Sequence, residues 1–275
     1  MTQMLKISFT ILMLLFAKSA IAEPTEVDVE LVLGVDVSRS MSPPELEIQR
    51  QGYAEALTSD AVVNAIENGP LGRIALTYIE WGGAYHQQVI IEWQLIEKRA
   101  DLVAIAAQLT ANSPDSFSRT SISAIIEYAT KSIEENNFTA ARKVIDISGD
   151  GPNNDGIPVL DARKIALEKG ITINGLPMMT RLGPGQLSHL DDLDKYYESC
   201  VTGGPGSFVI PVRQWPTFVE SVRKKLVLEL AGLTPQENLL QKATFTKVAE
   251  GYDCLVGEKI WRDLINRIPP GNILP

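Results

Sequence analysis

Short apolar runs alternate along this chain with stretches whose apolar positions recur every three or four residues. The runs at 29–35, 74–79, 144–147 and 171–176 are apolar almost throughout, which is the pattern of strands covered on both faces in a parallel sheet. A fifth run, 88–93, is joined to the second by Trp81-Gly82-Gly83-Ala84-Tyr85-His86. So short a connection makes a hairpin and sets the fifth strand antiparallel at an edge. Residues 207–210 are expected to add a sixth strand.

Between the runs lie helical patterns. Ile122, Ile125, Ile126, Ala129 and Ile133 share one face, opposite Glu127, Lys131 and Glu134. Leu102, Ile105, Ala106 and Leu109 repeat the pattern, and a longer stripe runs from Trp215 through Phe218, Val219, Val222 and Leu226 to Leu230. Gly232 closes that helix. Ser42 ahead of Pro43 and Pro44 reads as an N-cap followed by proline in the first turn. Strand-helix alternation of this kind predicts an α/β fold with a doubly wound, mostly parallel sheet, one antiparallel edge strand and helices on both faces. After Gly232 the pattern weakens to one helix, at 260–268, and a proline-rich end.

The first 22 residues place Lys6 before an apolar stretch, 7–16, and end in Ala20-Ile21-Ala22. That order is the one of a secretory signal peptide, so residues 1–22 are expected to be removed and the chain exported, to a periplasm or the medium. The apolar part falls short of the roughly 20 residues that span a bilayer, and no later segment qualifies; an uncleaved N-terminal anchor is the alternative. Loss of Lys6 and Lys18 moves a net charge of −9 two units further negative. An acidic surface of that kind excludes a phosphate-backbone partner, because nucleic-acid binders present a basic face. Cys200 and Cys254 are the only cysteines. After export an even pair reads as one disulfide tying the extension 233–275 to the main domain, 27–232; two separately buried thiols are the alternative.

Candidate chemistry concentrates where the first strand ends. Asp36-Val37-Ser38-Arg39-Ser40 places a carboxylate and two hydroxyls at alternate positions directly after a buried run. Short hard-oxygen side chains suit Mg²⁺, with Mn²⁺ or Ca²⁺ as substitutes, better than a thiolate-seeking metal. Asp150 leaves the strand 144–147 in the same way. In an open α/β sheet, ligands sit at strand carboxyl ends where connections depart to opposite faces, so adjacency of those two strands would bring both carboxylates into one crevice. Thr120 stands where the polar loop 112–119 turns into the Ile-striped helix, a position that also suits a helix cap.

In order and context, Asp36-Val37-Ser38-Arg39-Ser40, Thr120 and Asp150-Gly151 resemble the metal-ion-dependent adhesion site of von Willebrand factor A (VWA) domains, over residues 27–231. The stretch Ile145-Asp146-Ile147-Ser148-Gly149-Asp150-Gly151-Pro152-Asn153-Asn154 looks like that of bacterial exported VWA-like proteins of uncharacterised function. The resemblance implies a Rossmann-type VWA fold in which Ser38, Ser40 and Thr120 ligate the metal directly, while Asp36 and Asp150 act directly or through water. It also implies a partner protein that presents an acidic side chain to the open coordination position. Ser148-Gly149 departs from the commoner Thr before the Asp, and the loop before Thr120 lacks the usual glycines.

Competing readings stay open. A Mg²⁺-dependent phosphoryl hydrolase would use Asp36 as nucleophile, but Ser38 stands where a proton-donating acid would be useful. A third reading is a scaffold that has lost its metal. His86 and His189 lie beside no recognisable nucleophile, and the G-x-S-x-G spacing is missing, which argues against a Ser-His-Asp hydrolase; the resemblance to VWA domains implies a binding protein and not an enzyme. Asp146 sits inside an apolar strand, where a charge needs a partner.

Overall fold

A computed structural model describes residues 23–180, 190–232 and 251–267. The signal-peptide expectation and His189 lie outside the described residues. Five strands form one sheet: β1 (Thr25–Asp36), β2 (Ile74–Trp81), β3 (Gln87–Ile96), β4 (Phe138–Gly149) and β5 (Ile171–Pro177), in the order β3-β2-β1-β4-β5. β1 pairs in parallel with both β2 and β4, β4 with β5, and β3 runs antiparallel on the edge. Among the described residues the expected sixth strand at 207–210 does not form. Residues near 203–212 meet β5 only through isolated bridges, Ile173 to Gly203, Gly175 to Val209 and Met178 to Val212, because the glycine-rich segment before Phe208 does not hold an extended register.

On one face pack α1 (Pro43–Thr58), α2 (Asp60–Glu67), α3 (Arg99–Leu109) and α7 (Phe218–Ala231). Their core joins Leu31, Leu33, Leu46, Tyr53, Tyr78, Ile105 and Phe218. On the other lie α4 (Ile122–Glu135), α5 (Val159–Glu168) and the short α6 (Leu193–Tyr196), which runs into a π-turn at Tyr197–Val201. Their core joins Val32, Ile125, Ile145, Ile173 and Tyr197. The chain leaves β1 for the first face and β4 for the second, so the crevice between the ends of these neighbouring strands is a switch point.

Caps follow the local chemistry. Glu45 accepts from both the amide and the hydroxyl of Ser42 at the start of α1, and Gly232 ends α7 in the left-handed region at φ 63°. The last helix, α8 (Val256–Arg267), begins a turn earlier than its apolar spacing suggests. A disulfide between Cys200 and Cys254 fastens it to the domain. Asp146 finds its partner in α7: Lys225, fully buried, lies 2.5 Å from Asp146 Oδ1 and 2.5 Å from Glu229 Oε1. Two acids therefore share one buried cation.

Candidate metal centre

Asp36 ends β1 with no solvent exposure, and the chain then turns so that the Ser38 amide donates to Asp36 Oδ1 at 2.7 Å. This is a local Asx turn. Phe117 keeps it in place: its amide donates to the Val37 carbonyl at 3.0 Å, and its carbonyl accepts from the Arg39 amide at 2.8 Å. From α1, Gln49 Nε2 donates to the Asp36 carbonyl at 2.9 Å. Held this way, the Ser38 and Ser40 hydroxyls lie 2.9 Å apart, and Ser40 Oγ donates to Asp150 Oδ1 at 2.6 Å. Four of the expected side chains thus converge between the ends of β1 and β4.

Thr120 joins them from a third loop, with its hydroxyl beside Gly151. It does not cap α4. That role belongs to Ser121, whose Oγ accepts from the Ala124 amide, so the Thr120 hydroxyl is not committed to the helix. Asn154 fixes Thr120 from both sides, accepting from its amide at Oδ1 (3.0 Å) and donating to its carbonyl (2.8 Å). Asn153, fully buried, accepts from the Ser123 amide, and Asp155 accepts from the Ala84 amide in the β2-β3 turn. Sequence reasoning missed both asparagines. Their placement after an aspartate and a proline was the available signal, but their partners lie in other loops.

Electrostatically the pocket is under-neutralised. Burial pushes the Asp36 carboxyl up to about 8, the nearby Asp150 charge adds to the rise, and hydrogen bonds from Ser38 and from the Asp150 amide offset part of it. Asp36 Oδ2 is buried and has no hydrogen-bond partner among the described residues. Nor does the Tyr197 hydroxyl, whose own ionisation is pushed up first by burial and then by Asp36. Gly149 permits this crowding: a Cβ there would lie 2.9 Å from both Asp36 Oδ2 and Tyr197 Oη. The departure Ser148-Gly149 therefore has a steric reason.

A buried, orphaned carboxylate oxygen beside a second acid is a costly arrangement without a cation. Two carboxylates with three hydroxyls form a hard all-oxygen donor set, which fits a small divalent ion. Among the described residues no three His, Cys, Asp or Glu side chains gather as a metal cage, here or elsewhere, so this site would depend on two carboxylates and neutral hydroxyls. A cleft of about 890 Å³ opens at the other end of the sheet beside Asp28, Leu71 and Arg142, and contains none of these groups.

The sequence matches the family described as "Protein of unknown function (DUF1194)" over residues 26–234. The chain belongs to that family. Comparison with curated proteins gives no sequence match. Its fold is that of VWA domains, as solved structures show. Proximal thread matrix protein 1 from the mussel byssus, with a zinc-occupied MIDAS motif, matches at a TM-score of 0.55 and 15% identity over 76% of this chain and 49% of that one. The pilus adhesin SpaC from Lactobacillus rhamnosus GG gives 0.56 and 13% over 77% and 32%. A von Willebrand factor type A protein from Catenulispora acidiphila gives 0.51 and 16% over 74% and 43%. This chain spans less than half the length of each, and at these identities the likeness is one of VWA fold.

Proposed function

We propose that this DUF1194 protein is an exported, non-enzymatic VWA module that binds a divalent cation, Mg²⁺ first, and uses it to engage an acidic side chain of another protein. The observation that carries this reading is the orphaned, buried Asp36 Oδ2 beside Asp150, Ser38 and Ser40 at one switch point. Asp36, Ser38, Ser40, Thr120 and Asp150 would hold the ion. Bound there, the cation would supply Lewis acidity toward an incoming carboxylate. Neutral hydroxyls leave its charge incompletely compensated, so an acidic partner group remains favoured and sets orientation.

The zinc-occupied motif of the mussel protein supports a divalent ion as the class, and the all-oxygen donor set here supports Mg²⁺. The adhesin neighbour supports a protein partner. Export is supported by the signal-like residues 1–22 and by the disulfide, which suits an oxidising compartment. Among the described residues no helix is long and apolar enough to cross a membrane.

Calorimetric titration with Mg²⁺, Mn²⁺ and Ca²⁺ tests the first half of the reading. Saturable binding that Asp36→Ala abolishes is expected; no heat from either chain defeats it. Affinity capture in Mg²⁺ and again in chelator tests the second half, with partner retention expected only in Mg²⁺. Phosphatase assays are expected to stay flat with and without the metal.

A further inference from the structure

The helix beyond the main domain reaches the candidate metal centre on both sides of Thr120. On one side, Asn153 Nδ2 donates to Glu258 Oε1 of α8 at 2.8 Å, and the neighbouring Asn154 is the residue that fixes Thr120. On the other, Arg119, directly before Thr120, lays its guanidinium over the Trp261 ring at 3.9 Å. Arg119 is the one non-glycine residue at positive φ among the described residues, at 71°. Such a conformation persists only where surroundings enforce it, and the cation-π contact with Trp261 is one of those constraints.

Contact between helix and loop is close. Gly257, in the first turn of α8, is buried against the loop, and a Cβ there would lie 2.0 Å from the Asn153 carbonyl oxygen. Asn153 is also tied below: its amide donates to the Tyr196 hydroxyl at 3.1 Å, and Tyr196 packs against Tyr252 of the same tail. Cys200, four residues after Tyr196, carries the covalent link to Cys254. The disulfide thus holds α8 against the loop 151–155.

We propose that α8 is part of the metal centre: through Glu258, Gly257 and Trp261 it fixes Asn153, Asn154 and Arg119 as positioning residues for Thr120, so that cation affinity depends on docking of this disulfide-tethered helix. This inference rests on the metal-binding reading above and adds the control of that site. Groups outside a ligand sphere that orient the ligands are commonly worth about 10–100-fold in metal affinity.

The test compares the unmodified chain with Gly257→Ala, Glu258→Ala, Glu258→Gln, the double variant Cys200→Ser/Cys254→Ser and the exposed-face control Asp263→Ala. Each is titrated with Mn²⁺ alone, and each is followed by amide hydrogen exchange at Thr120. Alanine at 257 raises helix propensity, so a loss there reports docking and not helix stability. Expected are affinities lowered about tenfold and faster Thr120 exchange in Gly257→Ala, Glu258→Ala and the double variant. Glu258→Gln keeps an acceptor for Asn153 and should retain affinity, as should Asp263→Ala. Unchanged affinity and exchange in Gly257→Ala and Glu258→Ala would overturn the proposal, as would equal losses in the control. If the double variant does not fold, the two single variants decide. Failure of the unmodified chain to bind Mn²⁺ would instead remove the metal reading and this inference with it, and exchange at Thr120 would still show whether α8 holds the loop.

Discussion

Ser40 Oγ donates to Asp150 Oδ1 at 2.6 Å, joining two loops 110 positions apart in sequence. The contact ties together the loops that leave β1 and β4, strands already paired in the sheet, while Asp36 Oδ2 has no hydrogen-bond partner among the described residues. A cation satisfies that oxygen and offsets the repulsion between Asp36 and Asp150, so metal should stabilise the fold. At a concentration about 100 times the dissociation constant the gain is about 2.7 kcal/mol. Thermal melts in chelator and in excess Mg²⁺ check this: the unmodified chain should melt higher with metal, and Asp36→Ala should melt at the same temperature in both.

Stability without metal should fall as pH rises. Asp36 moves from an ordinary 3.8 up to about 8, and Glu229 from 4.5 up to about 7, burial being the main cause in each. Both carboxyls hold their protons more tightly folded than unfolded. Their contribution is therefore fully present below about pH 4 and is lost as pH climbs through about 7 and about 8. Urea unfolding in chelator from about pH 4 to about pH 8 should give a falling free energy, and Glu229→Gln should remove the part that accrues between 4.5 and about 7. Because metal binding displaces the Asp36 proton, cation affinity should strengthen over the same range.

Lys225→Met should be strongly destabilising. It leaves Asp146 and Glu229 buried together with no cation, and breaking a buried pair this way typically costs about 3–5 kcal/mol. Replacing all three residues with apolar ones of similar size should recover most of that loss. Chemical denaturation of both variants decides it, and a mild effect of Lys225→Met would refute the assigned pairing.

Gly149→Ala should weaken the metal centre. Its methyl would press on Asp36 Oδ2 and Tyr197 Oη at 2.9 Å. Crowding of a packed interior costs about 1–3 kcal/mol. Adding Tyr197→Phe removes one of the two obstructing oxygens and should restore part of the stability, measured by thermal melting.

Much of this arrangement was legible because it is local. Asp36, Ser38 and Ser40 follow an apolar run at alternate positions, and short spacing after a buried strand is a signal the chain carries in itself. Asp150 was legible for the same reason. Thr120 was singled out by its place at a loop-to-helix junction, but the helix cap expected of it falls to Ser121, since the two neighbours have equivalent chemistry and only the turn geometry chooses between them. The pairing of Asp146 with Lys225 illustrates the limit: a charge in an apolar strand announces that a partner exists, while its identity depends on how α7 crosses the sheet. The 207–210 segment failed as a strand because β-propensity alone does not supply a neighbour in register. Helix α2 escaped notice since eight residues offer barely two turns of periodicity.

The two lateral boundaries of the sheet are not equivalent. β5 is overlaid by the chain's own segment around Val209 and Val212, whereas β3 carries half-buried Val89, Ile90, Trp93 and Leu95 along its length, with Glu92 exposed among them. Among the described residues no strand pairs with the outer edge of β3; backbone of that kind invites strand addition from other chains, and a charge is a common deterrent. Neutralising Glu92 would therefore turn this margin of the molecule into the place where concentrated protein begins to stack.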